Sequence, residues 1–135
     1  MNRLFAGFLV ATKDRVGWYS SIHGAGNYVE FSTQTMKPEE YPGLPKLSAN
    51  GLVVGFALTE SGKAFVSFED HAAPAAPSAT YHHRRVYMFD RPTSSWVPVQ
   101  APAIAGEQEP HLLGSSGEQI VLRGANSYSF VDFKP

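Results

Sequence analysis

The sequence contains no cysteine in its 135 residues. That excludes disulfides, thiolate metal sites and a cysteine nucleophile. Small secreted scaffolds often depend on disulfides, so the lack of them weakens the case for one and is compatible with a reducing compartment. Net charge is also lacking: 11 Lys and Arg stand against 12 Asp and Glu, for a formal −1. Such a chain has no overall field to steer nucleic acid or an anionic membrane toward it. No apolar run approaches the ~20 residues of a membrane-spanning helix. Helix-period segments of useful length are missing as well.

The N-terminus is the one stretch resembling an export signal. Met1-Asn2-Arg3 precedes the short apolar run Leu4–Ala11. Leu9-Val10-Ala11 places a large residue where a cleavage site needs a small one, and the charged Thr12-Lys13-Asp14-Arg15 follows at once. Leu4–Ala11 is therefore read as a strand entering a turn. The expected location is cytoplasmic, with secretion as the alternative.

Aromatic residues are plentiful, with 9 Phe and 6 Tyr, and they favour strands. Twelve Gly and ten Pro supply frequent tight connections. Hydrophobic content of 43% suits one globular domain over residues 1–135. Leu52–Val99 is the most telling stretch. It reads as four short strands in succession: Leu52–Leu58, Lys63–Glu69, Arg85–Asp90 and Trp96–Val99. In the first of these, Leu52, Val54, Phe56 and Leu58 point one way and Val53, Gly55 and Ala57 the other. Both faces are apolar, which predicts a strand covered on both sides. Thr59-Glu60-Ser61-Gly62 reads as a hairpin loop.

Leu4–Ala11 and Val16–Ile22 predict a hairpin, and Tyr28–Ser32 a third strand after the turn His23–Asn27. Thr35–Ser48 is read as a long connection, because Pro38, Pro42 and Pro45 prevent a continuous helix or central strand. Ala72–Ala79 is a low-complexity Ala/Pro tract, expected to be extended and exposed. Gln100–Gly106 is a further connection. His111–Leu113, Gln119–Leu122 and Tyr128–Phe133 are three more strands, with Gly114-Ser115-Ser116-Gly117 as a turn. The expected fold is all-β, with about ten antiparallel strands in propeller-blade-like or sandwich sheets and no substantial helix. Leu47–Glu69 and His111–Asp132 share a weak pattern of loop glycine, apolar strand, turn and aromatic strand, which any two hairpins can share.

Asn50-Gly51, Ser61–Phe68, Val86–Asp90 and Ser95–Val99 resemble generic β-propeller blades. The likeness covers about fifty residues well. The sequence departs from the specific subfamilies: it has no WD or Gly-His signature, no Asp-box and no kelch double glycine. Its strands make about two and a half blades, against the usual four or more. Three outcomes follow: a small incomplete propeller or sandwich, a propeller completed by oligomerisation, or β-hairpin grammar alone.

Candidate chemistry is sparse. His82 and His83, with His71 and Asp70, are the best metal suggestion, but adjacent strand residues point to opposite faces, so no metal or cofactor is expected. Arg84 and Arg85 form a positive cluster suited to a carboxylate, a phosphate or an acidic partner. Ser115 and Ser116 sit between glycines without the Gly-x-Ser-x-Gly elbow, and nothing orders His111 and Glu118 into a triad with them. No carboxylates are brought together by spacing, so glycosidase chemistry has no support. Trp18, Tyr19 and Trp96 are candidate stacking surfaces for sugars.

No enzyme is expected. The first reading is a protein-interaction module, in its sharper form an inhibitor or immunity-type protein that blocks a partner. It places contacts in Thr35–Lys46, Asp70–Arg85 and Gly114–Glu118, with Tyr41, His82, His83, Arg84, Arg85, Ser115 and Ser116 as binding residues. The alternative is a lectin-like domain that binds carbohydrate through Trp18, Tyr19 or Trp96. Neither nucleic acid nor membrane is an expected partner.

Overall fold

The computed structural model describes residues 6–22, 25–45, 51–70, 83–100, 111–124 and 127–132. Among these residues the chain is all-β, with eleven strands and no helix. The strands form three antiparallel sheets, each built in chain order. The first joins β1 (Ala6–Ala11), β2 (Arg15–Ile22), β3 (Ala25–Ser32) and β4 (Pro38–Pro42). The second joins β5 (Gly51–Leu58), β6 (Ala64–Asp70), β7 (His83–Asp90) and β8 (Ser95–Val99). The third joins β9 (His111–Ser116), β10 (Gln119–Arg123) and β11 (Tyr128–Val131). His71, His82 and the tract 72–79 lie outside the described residues.

The sheets stack as three layers because the second is apolar on both faces. Phe56, Leu58, Ala64, Val66 and Phe89 pack with Tyr19 and Tyr28 of the first sheet. Ala57, Phe65 and Val86 pack with Leu112, Ile120 and Leu122 of the third. Sheet-on-sheet packing of this kind buries alternate residues of each strand. The first strand of the middle sheet, β5, touches the first strand of each neighbour, β1 and β9. Gly17 lies where β2 passes over β5; a Cβ there would come 3.1 Å from the Phe56 ring.

One end of the stack carries the first hairpin of each sheet, and the first two tips repeat one device. Thr12 closes the β1–β2 turn against Arg15, donating its N–H to the Arg15 carbonyl at 2.8 Å and accepting the Arg15 N–H on Oγ1 at 3.1 Å. Thr59 does the same with Lys63, at 2.9 and 3.0 Å. Ser116 occupies the corresponding place, opposite Gln119 beside the β9–β10 turn. The tips are also tied to one another. The Lys13 N–H donates to the Glu60 carboxylate, the Glu60 N–H to the Gly117 carbonyl, and the Ser61 N–H and hydroxyl to Glu118. Gly62, at φ 93°, takes the left-handed conformation that lets the longer β5–β6 tip close.

Four local expectations need correction. Ala25–Asn27, expected within a turn, opens strand β3, which pairs with β2 as far as Ile22↔Ala25. Pro38–Pro42 is a strand, paired to β3 from Phe31↔Pro38 to Asn27↔Pro42. It has one neighbour, and an edge strand tolerates prolines at its ends. Ser115 and Ser116 belong to strand β9, and the turn itself is Gly117-Glu118. In β5 the register shifts between Val53 and Gly55, so the intervening Val54 is a bulge residue. The bulge resets the alternation: Val53 is buried with Phe56, while Leu52 is exposed.

Ser67 is buried on β6, and its hydroxyl has no hydrogen-bond partner among the described residues. A buried unpaired hydroxyl costs about 1–3 kcal/mol. Ser67→Ala is therefore expected to raise stability by about 1 kcal/mol, read as a higher urea midpoint at unchanged slope. A lowered midpoint would contradict this account of Ser67.

Candidate functional site

The strongest internal constellation is a charged knot between the first two sheets. Glu30, on the inward face of β3, is buried. Its carboxylate accepts from Arg15 Nη1 at 2.9 Å, from Arg91 Nη2 at 2.5 Å and from the Tyr28 hydroxyl. Arg91, from the β7–β8 turn, also donates to the Gly62 carbonyl at 2.5 Å. Burial pushes the Glu30 carboxyl up, but the bonds from Arg91, Tyr28 and Arg15 outweigh it and hold the group below the ordinary carboxylate value. The Tyr28 phenol is pushed far up by burial and by the adjacent Glu30. Arg15 and Tyr28 donate to Glu30 from its own sheet and Arg91 from the second, so the knot ties the two sheets together.

The sequence-predicted residues do not converge. Arg84 and Arg85 lie on opposite faces of β7. Arg84 Nε donates to Glu69 Oε2 at 2.8 Å, whereas Arg85 is exposed. His83 is in β7, its side chain outside the described residues, as is the whole of His82. The Tyr41 ring packs inward against Tyr28 and Phe89, with its hydroxyl donating to Glu39. Ser115 donates to the Leu58 carbonyl at 2.6 Å, and Ser116 is exposed. Glu118 is held below its ordinary pKa chiefly by the bond from Ser61.

Two of the three sugar-stacking candidates are core residues. Tyr19 is fully buried and its hydroxyl accepts the Leu44 N–H at 2.8 Å. Trp96 is 8% exposed, donates Nε1–H to the Pro42 carbonyl and packs edge-on to Tyr19. Neither is a surface platform. Trp18, next to Tyr19 along the strand, faces the other way and is half-buried.

The outward face of the first sheet is therefore the surface that matters. Leu9, Trp18, Val29 and Glu40 form one cross-strand row, and Ala11, Val16, Phe31 and Pro38 the next. Leu9 is 66% exposed and none of the eight is buried. The Trp18 indole lies across Gly7, where a Cβ would come within 2.3 Å of the ring. Beside it is a concavity of about 260 Å³, lined by Trp18, Ser20, Asn27, Val29 and Glu40 with the backbone of Tyr28 and Tyr41 behind. The outward face of the third sheet is also apolar. Leu113, Tyr128 and Phe130 are 50%, 66% and 58% exposed. Sequence reasoning passed over Leu9, Tyr128 and Phe130 because strand alternation does not say which face stays uncovered.

Comparison of the chain with protein-family models, curated proteins and solved structures returns no match.

Proposed function

We propose that this chain is a non-enzymatic protein-interaction module that binds through its outward sheet faces. The observation that carries the reading is the apolar row Leu9–Trp18–Val29 on the outward face of the first sheet, where Leu9 is exposed and Trp18 and Val29 are half-buried. Contiguous exposed apolar surface on a soluble protein marks an interaction site. The inhibitor form of the reading adds that the bound partner is blocked. Affinity capture from the native source, compared between the wild type and Leu9→Asp, tests it. A stoichiometric protein partner retained by the wild type and lost from the variant is expected. Equal capture by both removes this face from the proposal.

A second reading, carbohydrate binding, is favoured by the Trp18 concavity, where an indole stands beside the amide of Asn27, the hydroxyl of Ser20 and the carboxylate of Glu40. An aromatic ring flanked by hydrogen-bonding groups suits a sugar ring. This reading expects glycan-array hits that Trp18→Ala abolishes. An array without hits counts against it.

A further inference from the structure

We propose that the partner of the two outward faces is a second copy of this chain, so that two molecules close a ring of six sheets. The inference rests on the interaction reading and names its partner. It follows from the equivalence of the three sheets.

The hairpin tips fix that equivalence: Thr12 faces Arg15, Thr59 faces Lys63 and Ser116 faces Gln119, each the last pair before its turn. Counting from them, Val16 and Trp18 of β2 match Ala64 and Val66 of β6, and Ile120 and Leu122 of β10. In the second and third sheets these positions are at most 1% exposed, covered by the sheet before. In the first sheet Val16 and Trp18 are apolar too, yet partly open. On β1 the same count sets Leu9, 66% exposed, at the place of Phe56, 4% exposed. The first sheet thus carries the face that receives a preceding sheet.

The third sheet carries the complementary face. Tyr128, opposite Arg123, holds the place that Tyr28 holds opposite Tyr19 in the first sheet. Tyr28 is fully buried at the centre of the first interface, while Tyr128 is 66% exposed. One stacking step, already used twice within the chain, sets the outward face of one copy's third sheet on the outward face of the other's first sheet. A two-fold axis makes the two such contacts identical and leaves no stacking face open. Six sheets around an axis lie within the four to eight seen in β-propellers.

Charge supports the pairing. Along the outward strand faces, Glu40 is the charged residue of the first sheet and Arg123 that of the third. They are brought together by the same transposition. Tyr19 packs on Trp96 of β8, so Arg123, at the Tyr19 position, falls on the matching part of β4, beside Pro38 and Glu40. One negative and one positive group then meet within a largely apolar contact.

Light scattering coupled to size exclusion tests the proposal. The wild type is expected at twice the chain mass. Tyr128→Asp, at an exposed position, is expected at the chain mass with its β-sheet circular dichroism retained. Glu40→Arg and Arg123→Glu are each expected to weaken the dimer at least tenfold. Mixing those two variants is expected to restore a one-to-one dimer, because both contacts in the mixture join opposite charges. A wild-type monomer, an open polymer, or variants that fail to complement each other would overturn the ring. The Leu9→Asp capture experiment judges the interaction reading separately: a monomer that captures another protein through Leu9 refutes the ring alone.

Discussion

Tyr28→Ala should lower the free energy of unfolding by about 3–5 kcal/mol, the range for removing a large buried aromatic side chain. Tyr28 is fully buried where the first two sheets meet. Its ring has Phe56, Phe89 and Trp96 each at 5.6 Å and Tyr41 at 5.8 Å. Truncation leaves a cavity among rings too large to collapse into it. Tyr28→Phe separates the parts. It keeps the ring and removes only the hydroxyl that donates to Glu30, and should cost about 1.5–3 kcal/mol, as for a bond to a charged group. Urea denaturation of both variants measures the difference. Equal losses would mean that the ring contacts contribute little.

Glu30→Ala is expected to be the second most damaging change, because it leaves the Arg15 and Arg91 guanidinium groups at the sheet boundary without their acceptor. Breaking a fully buried pair costs about 3–5 kcal/mol; both arginine side chains are about a third exposed, which reduces the expected loss to about 2–3 kcal/mol. The pH dependence has a definite sign. The Glu30 pKa is lowered in the folded state, so below its ordinary value of 4.5 the unfolded chain binds more protons than the folded one. The contribution is fully present above that value and is lost as pH falls through the lower folded pKa. The wild type should therefore lose stability on acidification below pH 4.5, and Glu30→Gln should lose less over the same interval. Parallel acid titrations of the two proteins, followed by circular dichroism, would contradict the assignment.

The second sheet was the most legible part of the sequence. Three of its four strands contain the stretch expected from hydrophobic runs bounded by turn residues, β6 begins one residue after the expected Lys63, and β5 is covered on both sides as its two apolar faces require. The first sheet was only partly legible. Pro38 and Pro42 argued against a strand, and the argument holds for a central strand but not for an edge. Ser115 and Ser116 read as a turn because they lie between glycines, yet pairing with β10 carries the strand through them.

The candidate site was less legible than the fold. Alternation shows that Trp18 and Tyr19 face opposite ways, but each face of β2 carries one large aromatic residue. Which one is buried depends on the sheet that packs there. Trp96 looked like an available aromatic at a strand start; the Pro42 carbonyl that takes its N–H is on another sheet. Glu30 drew no notice for the same reason. Its partner Arg91 is 61 positions away, and only the stacking of sheets brings them together. The paired arginines failed differently: Arg84 and Arg85 are neighbours in sequence and therefore parted by the pleat.

The three stacked hairpin tips bear on how such a chain lengthens in evolution. Among the described residues, the first and third tips each bond to the second, and each outer sheet packs on the middle one. Stability in such an array is a sum over units and their nearest neighbours. Duplicating one hairpin sheet within the gene would insert one more layer with one more interface of a kind the molecule already has. The two outer faces would be unaltered, so growth by duplication would conserve those faces while changing the number of layers between them.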